Sequence, residues 1–249
     1  MSFRDHTQFQ DTCENAFSTP QDDLLEQEFS ISKRSRSLPT RYNLIVADGL
    51  CCTGWGGTTV IIFKARNLLK HLNGTHDKGH TFRVARMARF IAEIEGADVE
   101  VVTLASLLHD IARPLEDKNT SVDHALEGAK MAADFLSQNG YEKTEQVVHA
   151  IQCHRFRSRT EPKTLEARIL RDADRLDALG AIGIARVLMF SSSLNEALEH
   201  FEEKILVLKD TLYTDTAKRI AEQRHRFTRE FVEKLKSETI KPEDCFLEG

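Results

Sequence analysis

Residues 99–111 have the sequence VEVVTLASLLHDI, an almost continuous run of apolar side chains that ends in a histidine and an aspartate. The run is too long for a typical strand, so it predicts a buried α-helix. His109 and Asp110 would then lie at the end of that helix. Because burial of an unpaired carboxylate is costly, Asp110 needs a partner, which we expect to be either backbone donors or a cation.

Apolar residues recur with helical spacing on both sides of this run. The pattern predicts a helix over 82–94 that Gly96 ends, and further helices over 122–138, 142–153 and 164–190. Residues 195–238 are strongly charged and predict one or two long helices. With 41% hydrophobic and 7% aromatic residues, many short strands are not indicated. We therefore predict an all-α helical bundle over residues 64–240.

Residues 1–63 are predicted to be an N-terminal extension, largely disordered or weakly structured. Residues 1–43 are polar and sustain no apolar period. Residues 44–63, LIVADGLCCTGWGGTTVIIF, are long enough to cross a bilayer, but four glycines, three threonines and Asp48 make them a poor span. We expect two short strands or a loosely packed segment there, and no membrane partner.

Charge and cysteine content restrict the class of protein further. The net charge of -5 gives no general attraction to nucleic acid. The five cysteines form no CxxC pair and no secretory signal is visible, so we expect a cytoplasmic protein without a disulfide framework. The charged C-terminal helices could cover a site or form the interface of a homo-oligomer.

Two further segments carry side chains that match His109 and Asp110 in chemistry. In THDKGH, residues 75–80, His76 and His80 are four residues apart, and on a helix they would share a face. In ILRDADRLDALG, residues 169–180, Asp174 and Asp177 share a face and Asp172 lies about 160° further round. Since apolar residues occupy much of that helix, a carboxylate there is expected to pair with a cation.

The three segments together supply two imidazoles and two carboxylates, a ligand set for a divalent metal ion. Such an ion lowers the pKa of bound water and neutralises charge on a phosphoryl oxygen. Manganese is the ion we expect first, and magnesium, iron, cobalt, nickel and zinc suit the same ligands.

Several stretches resemble one known family over about residues 64–192. THDKGHTFRVARMA, LASLLHDIARP, DHALEGAKMA, IQCHRFR and RDADRLDALGAIGIAR are similar to the HD-domain superfamily of metal-dependent phosphohydrolases. Within it they resemble small bacterial and archaeal proteins related to nucleotide pyrophosphohydrolases. The resemblance implies an all-helical fold, hydrolysis of a phosphoester or phosphoanhydride in a nucleotide, and the metal ligands His80, His109, Asp110 and Asp174.

Other residues are candidates to bind substrate or to assist the reaction. Arg83, Arg86 and Arg113 could contact phosphate oxygens, because a guanidinium matches them bidentately. Asp77 could orient water or a ligand imidazole, and Asp177 could stand next to the substrate or behind a ligand. Some HD nucleotidases have a catalytic glutamate three residues after the His-Asp pair, whereas this chain has Arg113 there.

His124 and His154 leave two alternatives open. With one metal, which we favour, they line the substrate pocket, stabilise phosphate or protonate the leaving group. With two metals they are ligands of the second ion, as in HD phosphodiesterases and di-iron oxygenases. A module that binds nucleotide without hydrolysing it is a third possibility.

Overall fold

The computed structural model describes residues 56–72, 76–156, 158 and 160–239, and these form helices without any strand. The all-α prediction is therefore confirmed. Residues 1–55, most of the predicted extension, lie outside the described residues. The helices are α1 (Gly56–Leu68), α2 (Lys78–Glu95), α3 (Val99–Leu108), α4 (Arg113–Glu116), α5 (His124–Gln138), α6 (Thr144–Cys153), α7 (Leu165–Asp177), α8 (Gly180–Phe190), α9 (Leu194–His200) and α10 (Asp215–Glu238).

Helix α3 is the apolar run on which the fold prediction rests, and it lies in the middle of the core. Every residue from Val101 to Leu108 is buried. Asp98 caps the helix by accepting hydrogen bonds from the backbone amides of Glu100 and Val101, both at 3.1 Å. Helices α1, α2, α6 and α7 pack around it, and the helix therefore has no polar face.

Helix α2 begins and ends at residues with clear capping chemistry. The carboxylate of Asp77 accepts a hydrogen bond from the backbone amide of His80 at 2.8 Å. Gly96 ends the helix in the left-handed conformation, with φ 75°, as the sequence predicts. The buried face of α2 starts at His80 and continues through Val84, Ala88 and Ile91, so His80 is fixed at the edge of the core.

The expectation of strands or loose packing over residues 44–63 is wrong for residues 56–63, which belong to α1. Ile61, Ile62, Ala65 and Leu69 are buried, and α1 packs against α3. Their spacing of one, four and eight residues is that of a helix face, but it appears only when the run is continued past Phe63. None of the described helices is both long enough and apolar enough to cross a membrane.

The single helix predicted over 164–190 is two helices in the structure. Helix α7 ends at Asp177 and α8 begins at Gly180, where φ is +76°. A Cβ atom at Gly180 would also lie 3.3 Å from the side chain of Arg224. Glycine is therefore required both by the backbone conformation and by the close approach of α10.

The C-terminal segment is attached to α7 by polar contacts. Asp172 accepts hydrogen bonds from the backbone amides of Tyr213 and Thr214 and from the Thr214 hydroxyl, at 2.8–2.9 Å. Arg224 donates to the carbonyl oxygen of Leu176 at 2.7 Å. The predicted long helices reduce to α10 alone, because residues 201–205 form a π-turn and residues 208–211 a 3₁₀ turn before it begins. The segment thus holds in place the helix that carries Asp174.

Candidate metal centre

Five helices place histidine and aspartate side chains at one buried point. His80 lies in the first turn of α2, Asp174 in α7, and His109 and Asp110 follow the last residue of α3. His124 is the first residue of α5 and His154 follows the last residue of α6. All of these side chains are buried except that of Asp174, which is 26% exposed. The four predicted metal ligands and both additional histidines are thus brought together.

The first group of ligand atoms has the spacing of a single cation site. His80 Nε2 lies 3.4 Å from Asp174 Oδ1 and 3.6 Å from Asp110 Oδ2. His109 Nε2 lies 3.2 Å from Asp110 Oδ2. A point between atoms at such separations is about 2 Å from each of them, which is the usual metal–nitrogen and metal–oxygen distance. His80, His109 and Asp174 each offer an atom within 4.8 Å of the others.

The hydrogen bonds behind the rings set which nitrogen faces this point. His80 Nδ1 lies 2.7 Å from Asp177 Oδ2, and His109 Nδ1 lies 2.7 Å from the carbonyl oxygen of Ser106. A neutral ring that donates from Nδ1 carries its lone pair on Nε2. Among the described residues, Nε2 of His80 and of His109 are buried and have no hydrogen-bond partner. Two bare nitrogens beside two carboxylates fit a metal ion.

The electrostatics of the group favour positive charge. Burial alone would lower the pKa of His80, but the neighbouring carboxylates of Asp110, Asp174 and Asp177 raise it to about 10. Burial would raise the pKa of Asp110 and of Asp174, yet the surrounding imidazoles, His109 foremost at Asp110 and His80 foremost at Asp174, hold both below their usual value. A site that binds a proton this strongly in the absence of metal also attracts a divalent cation.

Asp110 lies between the first group and a second group made by His124 and His154. Its Oδ1 is 3.7 Å from His124 Nε2 and 3.6 Å from His154 Nε2. His154 Nδ1 faces the carbonyl oxygen of Ile151 at 2.6 Å, and His124 Nδ1 faces Glu116 Oε2 at 2.8 Å. Burial, followed by the charges of His154 and Arg113, lowers the pKa of His124 to about 4, so this ring is neutral at pH 7. This second group also has the spacing to hold an ion.

His76 is a residue of the site to which sequence reasoning gave no role. Its Nδ1 lies 2.5 Å from Asp110 Oδ2, and its side chain is 26% exposed. With His80 and Asp110 it makes a third group of atoms that could hold a metal ion. The spacing of four residues from His80 was the available signal, although His76 precedes α2 and does not share its helical face.

Three of the predicted supporting residues have partners within the protein. Arg83 donates from Nε and Nη2 to the two oxygens of Asp177, at 2.7 and 3.0 Å. Asp177 is 5% exposed and lies behind His80, where it also pairs with Arg186 at 2.6 Å. Asp77 caps α2 and is exposed. Its carboxylate therefore fixes the helix start that carries His80.

The two remaining predicted arginines differ from each other. Arg113 donates to Asp110 Oδ1 at 3.1 Å and to Glu116 Oε2 at 2.7 Å, and it lines the cavity beside the cluster. Arg86 is exposed and does not line that cavity, so the structure does not bring it to the site. Glu116 was not predicted, because its position depends on the turn after α3 and no spacing in the sequence connects it to His124.

A cavity of about 590 Å³ opens from the cluster, and His76, His154 and Asp174 form part of its wall. Several cationic side chains also line it: Arg113, Arg155, Arg175, Arg186 and Lys204. Only Arg113 was predicted. Arg155 and Arg175 directly follow His154 and Asp174 in sequence, and this adjacency was the signal that could have identified them.

Comparisons with known proteins identify the family of the chain. Residues 78–179 match the HD domain. The chain is 35% identical over 187 residues to the uncharacterized protein YpgQ of Bacillus subtilis, covering 70% of this chain and 89% of that protein. A crystal structure of an HD superfamily hydrolase from an uncultured Thermotogales bacterium is 37% identical, covers 72% of this chain and 91% of its own, and superposes with a TM-score of 0.56. The structure of Bacillus subtilis YpgQ in complex with ADP is 32% identical in sequence and superposes with a TM-score of 0.58. The match covers 71% of this chain and 96% of the YpgQ chain.

Proposed function

The chain belongs to the HD-domain superfamily, and from this membership and its His/Asp cluster we propose that it is a metal-dependent phosphohydrolase that acts on a nucleotide. One observation carries the proposal. The Nε2 atoms of His80 and His109 face Asp110 and Asp174 without a hydrogen-bond partner among the described residues, and Asp174 lines a cavity with cationic side chains.

In this proposal His80, His109, Asp110 and Asp174 hold the divalent ion, and manganese is the first ion to try. The bound ion supplies a nucleophile by lowering the pKa of a water molecule, and it offsets charge on a phosphoryl oxygen. Asp177 keeps the ring of His80 in the orientation that directs Nε2 to the ion. Arg83 holds Asp177 and is proposed to act through it instead of contacting phosphate.

The cavity arginines are proposed to bind the phosphate groups. Arg113, Arg155 and Arg175 line the cavity next to the cluster, and the guanidinium donors that their partners in the protein leave over match phosphate oxygens. Arg186 also lines the cavity, but like Arg83 it pairs with Asp177. His154 also lines the cavity, whereas His124 does not. With one metal, His154 is therefore the better placed of the two to stabilise phosphate or to protonate the leaving group.

A nucleotide is supported as substrate by the size of the cavity and by one relative. A volume of about 590 Å³ exceeds what a lone phosphate or pyrophosphate occupies and lies in the range of small-molecule sites. The related YpgQ of Bacillus subtilis has been crystallised in complex with ADP. We propose the nucleotide class for this chain without assigning the base or the bond that is cleaved.

The test is release of phosphate or pyrophosphate from a panel of nucleotides with Mn²⁺, comparing the wild type with Asp110→Ala. Asp134→Ala is a matched control, because Asp134 is exposed on α5 and lies outside both the cluster and the cavity. We expect activity in the wild type and the control, and its loss in Asp110→Ala and on addition of a chelator. The proposal would be ruled out if all three proteins had equal rates and the chelator left those rates unchanged.

A second candidate is a two-metal enzyme, either a phosphodiesterase or a di-iron oxygenase. It is favoured by one observation, that Asp110 and the Nε2 atoms of His124 and His154 could together hold another ion. Elemental analysis and oxygen consumption of the iron-loaded protein distinguish the candidates. A ratio near two ions per chain supports the two-metal enzyme, and oxygen uptake supports the oxygenase. Binding of nucleotide without any turnover would instead indicate a sensing module.

A further inference from the structure

Two walls of the cavity beside the metal centre differ in charge. The wall that carries Asp174 and His154 also carries Arg155, Arg175 and Arg186. The second wall comes from α9 and the π-turn after it. Its polar members are Glu196, His200, Glu203 and Lys204. The second wall therefore has two carboxylates, although the proposed substrate is an anion.

This difference sets the direction in which a phosphorylated substrate can lie. Carboxylates repel phosphate groups, so the phosphates are expected on the side of the metal centre and the arginines. The organic part of the substrate is then left for the wall formed by α9 and the π-turn. Apolar side chains of the cavity are available for it to pack against: Ile205 at the end of the π-turn, Leu208 after it, and Val187 and Phe190 of α8.

The π-turn fixes how this wall faces the cavity. Phe201 and Ile205, its first and last residues, are 0% and 2% exposed, and Leu206 donates its backbone amide to the carbonyl oxygen of Phe201 at 2.9 Å. The residues between these two anchors are exposed, and Glu203 and Lys204 line the cavity. Single π-turns within helices are frequent at functional sites, because the wider turn redirects side chains.

The two carboxylates of the wall have different surroundings. Glu196 Oε2 accepts hydrogen bonds from the backbone amide and hydroxyl of Ser192, at 2.7 and 2.5 Å, and this arrangement belongs to the start of α9. The side chain of Glu203 makes no hydrogen bond and no salt bridge with any residue that the structure describes, and its charge interacts with the side chain of His200. Its acceptor oxygens remain available to a ligand in the cavity.

We propose that Glu203 is a specificity-determining residue that recognises the nucleoside part of the substrate by accepting hydrogen bonds from its hydroxyl or amino groups. This inference rests on the proposed function, since it assumes that the same cavity takes a nucleotide. A carboxylate at this position favours ligands that carry a hydrogen-bond donor on the part away from the metal centre, and disfavours further phosphate groups beside it.

The test compares two ligands that differ only in the nucleoside. Binding of α,β-methylene adenosine diphosphate and of methylenediphosphonate is measured by calorimetry with Mn²⁺, for the wild type, Glu203→Gln and Glu199→Gln. The bridging carbon prevents cleavage of the anhydride, so affinity is measured apart from catalysis. Glu199 is exposed on the same helical segment and does not line the cavity, which makes Glu199→Gln the matched control.

We expect Glu203→Gln to bind the nucleoside ligand about tenfold more weakly, the effect of one hydrogen bond to a charged group. Its affinity for methylenediphosphonate should be unchanged or slightly higher, and Glu199→Gln should resemble the wild type. Equal changes for both ligands, no change for either, or no binding of the nucleoside ligand to the wild type would overturn the inference. A wild type that binds the nucleoside ligand but hydrolyses no phosphate compound would contradict the proposed function alone.

Discussion

The Nε2 atoms of His124 and His154 lie 3.2 Å apart at a buried position beside Asp110. An oxygen atom lies beside Nδ1 of each ring, Glu116 Oε2 at 2.8 Å from His124 and the Ile151 carbonyl oxygen at 2.6 Å from His154. With a proton on each Nδ1 atom, the two rings would direct two lone pairs at each other. A positive charge between the rings would relieve this contact, and that charge is either a proton shared by the two Nε2 atoms or a metal ion.

Metal stoichiometry separates these two possibilities. The proposed single-ion site predicts close to one Mn²⁺ per chain in the wild type and the same ratio in His124→Gln, because His124 is not among the four ligands of the first group. Elemental analysis after gel filtration measures both. A ratio near two that falls to one in His124→Gln would instead show that this pair of histidines is a metal site.

Asp177→Asn is expected to weaken metal binding without removing a ligand. The carboxylate accepts from His80 Nδ1 and neutralises Arg83 and Arg186, so its loss lets the imidazole turn and leaves two guanidinium groups unbalanced. Removal of such a carboxylate commonly lowers metal affinity about 10- to 100-fold. Titration with Mn²⁺ in competition with a chelator measures this. Unchanged affinity, with Asp134→Asn as control, would exclude the orienting role.

Metal binding should depend on pH through His80. In the metal-free protein the pKa of His80 is raised to about 10, so the ring keeps its proton at pH 7 and must lose it to bind an ion. We expect release of about one proton per ion and an affinity that rises about tenfold per pH unit near neutrality. The proton also stabilises the metal-free fold fully below pH 6.5, and this contribution is lost as pH rises through 10. Calorimetry in buffers of different ionisation enthalpy would detect the released proton. Metal binding without proton release would contradict the role of His80 as a ligand.

Asp172→Ala should lower stability while leaving the metal site intact. The carboxylate is buried and accepts from two backbone amides and one hydroxyl at the start of α10, so its removal leaves those donors unpaired. We expect a loss of about 2–4 kcal/mol in the free energy of unfolding. Urea unfolding checks the value, and the Mn²⁺ ratio of the folded variant should equal that of the wild type. A loss of metal would mean that Asp172 acts on the site directly.

Local rules predict the helical core, whereas the choice of His80, His109, Asp110 and Asp174 as ligands depends on the resemblance to a known family. The length and apolar character of residues 99–111 require a buried helix, and α3 forms there. The spacing of Asp174 and Asp177 on one face indicates that they act near each other, and both contact His80 in the structure. Asp172, on a different face, instead accepts hydrogen bonds from Tyr213 and Thr214, which directly precede α10.

What the sequence does not predict depends on contacts between distant segments. Glu116 reaches His124 through the turn after α3, and His76 reaches Asp110 from outside α2, so neither contact has a periodic pattern. The break at Gly180 has a local signal, but the approach of Arg224 that makes glycine necessary involves a helix more than 40 residues away. The hydrogen bonds from Arg83 to Asp177 likewise depend on the packing of α2 against α7.

We propose that His80, His109, Asp110 and Asp174 hold a metal ion, and elemental analysis of the Asp174→Ala protein shows whether they do. The wild type, Asp174→Ala and Asp134→Ala are loaded with Mn²⁺, freed of excess ion by gel filtration and compared, with circular dichroism as a check on folding. We predict about one ion per chain in the wild type and in Asp134→Ala, and a ratio near zero in a folded Asp174→Ala protein. An equal ratio in all three proteins would contradict the account.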